Sequence, residues 1–267
     1  MWRTAASCRR SLILLKLRSA TEPGNRNEPD DWPESSTRCK LSAMDVIHPV
    51  RVKVACIRNA EEARCAVSFG VAAVGMAAEV PGGGPNLTAS EIAEIAASVP
   101  ESIGTFLLTV RRTASELAEL ARATRVNTIQ LWDQPDPGAY ARLRSAVPGI
   151  SIVQSIPIVA GEGTIERALD VASRVDALVL DSAQRTPPYR WEEQHGRTHD
   201  WQVSRRIVEA VGIPVILSGG LSHRNVADAI RAVRPYGVEV CTGVRRNGSL
   251  DTRLLVQFLE VIGRVNP

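Results

Sequence analysis

The sequence predicts a single (β/α)₈ barrel, an α/β fold in which eight parallel strands alternate with eight helices. From Val52 onward, short β-branched apolar runs alternate with amphipathic segments of helical period, which is typical of parallel βαβ units. Eight strand candidates can be counted, and a chain of 267 residues with 44% hydrophobic content has the usual size of such a barrel. An open doubly wound sheet is the competing architecture, but no GxGxxG follows the first strand.

The predicted strands are short and almost wholly apolar, as expected where a barrel buries both faces of its sheet. They comprise Val52–Ile57, Ala72–Met76, Gly104–Thr109, Thr128–Leu131, Ser151–Ile156, Ala177–Asp181, Pro214–Ser218 and Val238–Cys241. The helices predicted between and after them are Ala60–Phe69, Ser90–Ser98, Ala114–Thr124, Pro137–Ala146, Thr164–Arg174, Trp201–Val211, His223–Val233 and Asp251–Ile262. Polar residues suited to cap a helix stand near several of these starts, at Asn59, Thr88, Thr113, Asp136 and Asp251.

Residues 1–44 are predicted to be a disordered extension, and residues 45–267 to form the barrel. Basic residues mixed with Ser and Ala precede the first acidic residue, Glu22, as in organellar transit peptides. The polar, Pro-containing run Thr21–Ser42 has little to bury and is therefore expected to be disordered. The extension is either a targeting leader or a dispensable segment upstream of Met44.

Charge and cysteine content exclude several classes of protein. The net charge is +3, and the residues after Met44 carry 24 basic and 24 acidic side chains, so the barrel lacks the basic excess of a nucleic-acid binder. The five cysteines are odd in number and show no CxxC spacing, which favours a reduced, cytoplasmic protein. No run reaches the roughly 18 apolar residues of a membrane span.

Two glycine loops follow the last two predicted strands, at Leu217–Leu221 and Cys241–Val244. Glycine lets a ligand approach the backbone closely, and barrels commonly bind phosphate at this place. The candidate phosphate-binding residues are Ser218, Gly219, Gly220, Thr242 and Gly243. The alternative is that these glycines only make tight turns between strand and helix.

Asp181 ends the sixth predicted strand, where an apolar run opens into a loop at the catalytic face. A partly buried carboxyl group there suits general acid catalysis, although a loop-anchoring role is also open. The segment after it, Ser182–His199, is long for this kind of connection and is a candidate lid.

Several segments match one enzyme family in order and spacing. They are Val52–Asn59, Val179–Ser182, Thr198–Trp201, Leu217–Leu221 and Val238–Val244. With them the chain resembles the phosphoribosylanthranilate isomerase family of tryptophan biosynthesis. The resemblance implies an aldose–ketose (Amadori) rearrangement of N-(5-phosphoribosyl)anthranilate, and no cofactor is expected. It also implies that Asp181 is the general acid on the ribose ring oxygen, and that a strand-one cysteine is the general base at the sugar C2 position.

The strand-one cysteine departs from the family motif, which runs Lys, aliphatic, Cys, Gly. This chain has Lys53, Val54, Ala55 and Cys56, so the cysteine lies one place later. Neighbouring strand residues point to opposite faces, so Cys56 would face the helices if Ala55 faces the interior, unless a bend turns it inward. If such a bend turns its side chain inward, Cys56 is the candidate general base.

Other departures concern the aromatic half of the substrate. The loop Val80–Asn86 lacks the arginine that the family uses for the anthranilate carboxylate, and Trp132 replaces a histidine after strand four. Trp132 either stacks on an aromatic substrate or caps the barrel mouth. His199 and His195 are alternative bases, because an unperturbed imidazole titrates near neutrality.

The remaining expectations concern partners. Lys53 is interpreted as the buried partner of an acidic side chain rather than a Schiff-base lysine. No His, Cys and Asp cluster has metal-ligand spacing, so no metal is expected. The chain is expected to act as a monomer or homodimer on a small phosphorylated substrate, without nucleic acid or membrane. The competing function is a diverged phosphosugar-binding barrel with lost or altered catalysis.

Overall fold

The structure, a computed structural model, describes residues 50–81, 86–158, 163–182 and 198–265. The predicted extension, the domain boundary at residue 45, His195 and most of the candidate lid lie outside the described residues. Within the described residues, eight parallel strands close into a barrel in which each pairs with the next along the chain and β8 pairs with β1. The predicted (β/α)₈ barrel is confirmed.

The strands and the helices that follow them alternate through the chain. The barrel strands are β1 (Arg51–Val54), β2 (Ala73–Ala78), β3 (Gly104–Thr109), β4 (Thr128–Leu131), β5 (Ser151–Pro157), β6 (Ala177–Asp181), β7 (Val215–Leu217) and β8 (Gly237–Val240). The helices are α1 (Ala60–Ser68), α2 (Ala89–Ala97), α3 (Ala114–Thr124), α4 (Ala139–Ala146), α5 (Thr164–Ala172), α6 (Trp201–Ala210), α7 (Val226–Val233) and α8 (Thr252–Val265). A short hairpin, β9 (Arg245–Arg246) with β10 (Ser249–Leu250), stands between β8 and α8.

Side-chain caps explain where several helices begin. Asn59 accepts a hydrogen bond from the Glu62 amide, while Thr88 and Thr113 form capping boxes with Glu91 and Glu116. Asp251 accepts from the amides of residues 253 and 254 at the start of α8. The predicted cap at Asp136 is wrong, because Gly138 in the left-handed region precedes the first residue of α4.

Two hydrophobic layers hold the barrel together. Buried apolar side chains of the strands and helices form the larger cluster. A smaller cluster fills the barrel interior with Ala73, Phe106, Val153, Ala177, Val179 and Ile216. Because all strands run the same way, their carboxyl ends and the loops that follow them lie at one face, which positions the candidate site.

Candidate active site

Asp181 is the last residue of β6 and is partly exposed at the face where the strands end. Its carbonyl accepts a hydrogen bond from the Ile158 amide at 2.8 Å, beyond the end of β5. On its other side, the amide of Ser218 donates to the carbonyl of Leu180 at 2.8 Å. Backbone bonds to both neighbouring strands therefore hold Asp181 next to the first glycine loop.

The glycine loop after β7 has a backbone that other residues adopt poorly. Gly219 and Gly220 have φ angles of 94° and 62°, and a Cβ on Gly219 would lie 2.8 Å from the Ser182 amide nitrogen. The Asn225 side chain braces the loop, because its Nδ2 donates to the Gly220 carbonyl at 3.0 Å and its Oδ1 accepts from the Ser222 amide at 2.8 Å. The predicted start of the seventh helix at His223 is wrong. Residues 223–225 belong to the braced loop, and α7 starts at Val226.

The second glycine loop packs directly on the first. Residues Thr242–Val244 form a single 3₁₀ turn after β8. A Cβ on Gly243 would overlap the carbonyl oxygen of Leu221 and lie 3.0 Å from the Ser222 Cα. The structure thus brings all five candidate phosphate-binding residues together in two adjoining loops.

Both hydrogen-bond donors of Ser218 have partners within the protein. Its amide donates to Leu180, and its hydroxyl donates to Glu239 Oε1 at 3.0 Å. A phosphate dianion accepts hydrogen bonds, so Ser218 can bind it only by giving up one of these partners. Ser218 therefore links the loop to Glu239 on β8.

A buried polar chain crosses the barrel beneath these loops. The Lys53 ammonium pairs with Glu239 and donates to Gln130, whose Nε2 donates to Ser155 Oγ at 3.0 Å. Lys53 is 3% exposed, which confirms its interpretation as the partner of an acidic side chain. Its Cε would lie 2.9 Å from a Cβ at residue 75, so Gly75 provides the space that the lysine occupies.

Cys56 lies beyond the end of β1 and forms a disulfide with Cys241. The prediction that the cysteines are reduced is wrong for this pair, because closure of the barrel between β1 and β8 brings their Cα atoms to 5.7 Å; Cys65 is free. Cys56 has a φ angle of 62°, so the strand alternation used to orient it stops at this bend. A disulfide sulfur is no base, and Cys56 remains a candidate only in its reduced state.

A buried ion pair that the sequence analysis missed fixes this bend. The Arg245 guanidinium donates to both oxygens of Glu62, at 3.1 and 2.8 Å, and to the Cys56 carbonyl. Burial alone would raise the pKa of Glu62, but hydrogen bonds from Arg245 and the arginine's charge lower it. The one available signal was Asn247-Gly248, a typical hairpin turn that returns the chain after Arg245.

The ends of β2, β3 and β4 carry a small apolar cluster beside an arginine. Trp132 is 5% exposed and packs with Val80. Arg111, two residues beyond β3, forms a bidentate pair with Glu79 at 2.9 and 2.8 Å. Hydrogen bonds from this arginine lower the pKa of Glu79.

His199 is a poor candidate for the base. Its Nε2 lies 2.7 Å from Ser204 Oγ, and burial lowers the pKa of His199 to about 4, against an opposing effect of Asp200. The imidazole is therefore neutral at pH 7 and binds a proton only weakly.

The described residues contain neither a metal-binding cluster nor a helix that could span a membrane. Across residues 50–81, 86–158, 163–182 and 198–265, no three His, Cys, Asp or Glu side chains gather into a group able to hold a metal ion. In the same stretches, every helix is too short or too polar to cross a lipid bilayer.

We expect Gly219→Ala to weaken binding of inorganic phosphate about tenfold or more. Alanine is strained at a φ of 94°, and its Cβ would clash with the Ser182 backbone, so the loop must move. Isothermal titration calorimetry measures the affinity. The matched control is Gly212→Ala, since a Cβ there meets nothing within 4 Å. Equal affinities of the Gly219→Ala protein and the wild type would remove this loop from the phosphate site.

Comparison with known proteins identifies similar sequences and folds. A family model described as N-(5'-phosphoribosyl)anthranilate (PRA) isomerase matches residues 84–261. The chain is 36% identical to N-(5'-phosphoribosyl)anthranilate isomerase of Methanocella arvoryzae, over 79% of this chain and 97% of that protein. It is 32% identical to isomerase 2 of Methanosarcina mazei, over 79% and 93%. The solved phosphoribosyl anthranilate isomerase from Thermococcus kodakaraensis superposes with a TM-score of 0.67 at 28% identity, covering 80% of this chain and 98% of that one.

Proposed function

Because the chain belongs to the N-(5'-phosphoribosyl)anthranilate isomerase family, we propose that it catalyses the Amadori rearrangement of N-(5'-phosphoribosyl)anthranilate in tryptophan biosynthesis. The reaction opens the ribose ring to an imine, removes the proton at C2, and yields the aminodeoxyribulose phosphate. The observation that carries this proposal is Asp181 at the end of β6, beside two adjoining glycine loops. A carboxyl group and two glycine loops at the same face of the barrel support an acid and an anion site there.

Asp181 is the proposed general acid. Ring opening requires a proton on the ring oxygen as the C1–O bond breaks, and a carboxyl group at the end of β6 can deliver it. The backbone bonds on both sides of Asp181 restrict its movement, which favours a fixed geometry for proton transfer. As the enolamine becomes the ketone, the same carboxylate accepts the proton of the C2 hydroxyl, and C1 takes up the proton that the base removed from C2, so acid and base both return to their starting states.

Cys56, when reduced, is the proposed general base for the C2 proton. Its thiolate would lie at the end of β1, next to β8 and the second glycine loop. Ala55, at the place where the family motif has cysteine, faces the interior. A Cβ on Gly75 would lie 3.5 Å from the Ala55 Cβ and 2.9 Å from Lys53 Cε.

The phosphate is proposed to bind at the glycine loops. Gly219, Gly220, Thr242 and Gly243 supply the contacts, with Ser218 supporting them through Glu239. The 3₁₀ turn at residues 242–244 presents amide groups at its start, which suits an anion.

The anthranilate carboxylate is proposed to bind Arg111. A planar guanidinium that already holds the Glu79 carboxylate in two hydrogen bonds can exchange it for the carboxylate of the substrate. Leu108 and Val110 place apolar surface beside it, against Trp132 and Val80. The strands β3 and β7 lie opposite each other in the eight-stranded barrel, so a substrate with a benzoate at one end and a phosphate at the other spans the mouth.

The rearrangement moves hydrogen within one molecule, so we propose that the chain needs neither metal nor redox cofactor. We further propose a cytoplasmic enzyme that acts as a monomer or homodimer on this small phosphorylated substrate. Neither nucleic acid nor membrane is a proposed partner.

The test is turnover of N-(5'-phosphoribosyl)anthranilate by the full chain in the presence of a thiol reductant, followed as loss of fluorescence. We expect the wild type to turn over, and the Ala55→Cys variant to be at least as active, because its new thiol faces the barrel interior. Ala55→Ser is the size-matched control without a thiol.

The disulfide at Cys56 favours a second function, a phosphosugar-binding barrel with lost or altered catalysis. A wild type that is inactive, together with an Ala55→Cys variant that gains about a hundredfold or more, would show that only the base had been lost. Inactivity of both proteins, with inorganic phosphate still raising the melting temperature, would show a barrel that binds another phosphorylated ligand.

A further inference from the structure

Barrel closure brings Cys56 and Cys241 together. The amide of Ala55 donates to the Val240 carbonyl at 2.8 Å, one step beyond the paired residues of β1 and β8. The next residue on each strand is a cysteine, and their Cα atoms lie 5.7 Å apart, within the usual range for a disulfide. The backbone pairing itself therefore presents the two thiols to each other.

Neighbouring residues hold Cys56 in the conformation that this pairing needs. A φ of 62° is uncommon for a residue with a side chain, and the Cys56 carbonyl is bound by Arg245. Arg245 and Glu62 are 7% and 12% exposed and bind each other through two hydrogen bonds. The bend is thus fixed by a buried pair that does not include sulfur, so it is available in the reduced protein as well.

We propose that Cys56 and Cys241 form a thiol–disulfide exchange site that switches the enzyme between a reduced, active form and an oxidised, blocked form. The proposal rests on the proposed function, in which the Cys56 thiolate removes the C2 proton. The disulfide occupies that sulfur, and it also joins the segment that carries the base to Cys241, directly before the Thr242-Gly243 turn.

A dithiol reductant supplies the two thiols and the two electrons that the exchange requires. A thiolate of the reductant attacks the sulfur of Cys241, which is the partly exposed residue, whereas Cys56 is 8% exposed. Cys56 leaves as a thiolate, which is the form that acts as the general base. Between turnovers it can take up a proton. The second thiol of the reductant then attacks the mixed disulfide, so Cys241 leaves as a thiol and the reductant becomes a disulfide. Two electrons pass from the dithiol to the protein.

A reversible bond fits the compartment that we propose. Disulfides in reducing compartments are usually catalytic or redox-sensing rather than structural. Cys65, the free cysteine of the described residues, lies on α1 and takes no part in the bond.

The test equilibrates the full chain in buffers with graded ratios of reduced to oxidised dithiothreitol, a dithiol. Iodoacetamide labelling with peptide mapping measures the reduced fraction of Cys56 and Cys241, and the fluorescence assay measures turnover in the same samples. We expect the curves of reduced fraction and of turnover to coincide. The kcat/KM of the oxidised form should be at least about a hundredfold lower than that of the reduced form, and the reductant should restore it.

Two variants separate the roles of the cysteines. Cys241→Ser leaves Cys56 unable to form the bond, so its activity should not respond to the buffer, while Cys65→Ser should respond like the wild type. Full labelling of Cys56 and Cys241 in the oxidising buffers would overturn the exchange site. Equal turnover of the oxidised and reduced forms would overturn the switch. Reversible labelling without turnover in any form would support the exchange site and overturn the proposed function.

Discussion

We expect Asp181→Asn to lower kcat/KM for N-(5'-phosphoribosyl)anthranilate by roughly 10²- to 10⁴-fold, the usual contribution of a general acid. Asparagine keeps the size and hydrogen-bonding capacity of the side chain but cannot deliver a proton to the ring oxygen. Loss of fluorescence under reducing conditions measures the effect. The decrease should appear in kcat, since the glycine loops proposed to bind the phosphate stay in place.

Two controls make this result specific. Binding of inorganic phosphate to Asp181→Asn should equal that of the wild type, because the variant changes no group in the proposed phosphate site. Asp228→Asn, on the exposed part of α7, is the matched carboxylate substitution and should leave turnover unchanged. Turnover of Asp181→Asn within fivefold of the wild type would assign ring opening to another group.

The second large effect is expected for stability. Glu239→Leu should lower the free energy of unfolding by about 3–5 kcal/mol, because it leaves the buried Lys53 ammonium without its charge partner. Ser218 loses its acceptor at the same time, so the first glycine loop should also bind phosphate more weakly. Urea unfolding, monitored by tryptophan fluorescence under reducing conditions, measures the change.

The matched comparison is Asp228→Leu, which removes the ion pair between Asp228 and Arg231. Their side chains are 73% and 64% exposed, so the free energy of unfolding should fall by at most about 1 kcal/mol. The double variant Lys53→Met with Glu239→Leu replaces the whole buried pair by apolar side chains and should recover much of the loss. A Glu239→Leu protein as stable as the Asp228→Leu protein would show that the buried charge finds another partner.

The caps show how much local sequence decides. Thr88 and Thr113 each stand three residues before a glutamate, and this spacing is enough to form a capping box, since every atom involved lies within one turn. Asp136 had the right residue type, yet the backbone of Gly138 starts α4 two residues later. The prediction of a cap from residue type fails where the backbone conformation of the turn decides.

The candidate site was predictable to a similar degree. Asp181 and the glycine loops could be located because each follows an apolar run whose end marks the barrel face. The roles of Ser218 and Cys56 were not predictable in the same way. Ser218 binds Glu239 across neighbouring strands, and Cys56 binds a residue 185 positions away.

The sequence by itself determined the eight alternating units, the face at which the candidate site lies and the family to which the chain belongs. Only the tertiary structure decided which side chains meet: Lys53 with Glu239, Arg245 with Glu62, Arg111 with Glu79, and Cys56 with Cys241. Periodicity and caps depend on contacts within a few residues, which a sequence displays directly. Partners on different strands depend on the closure and register of the barrel, which bring distant positions together only once the chain has folded.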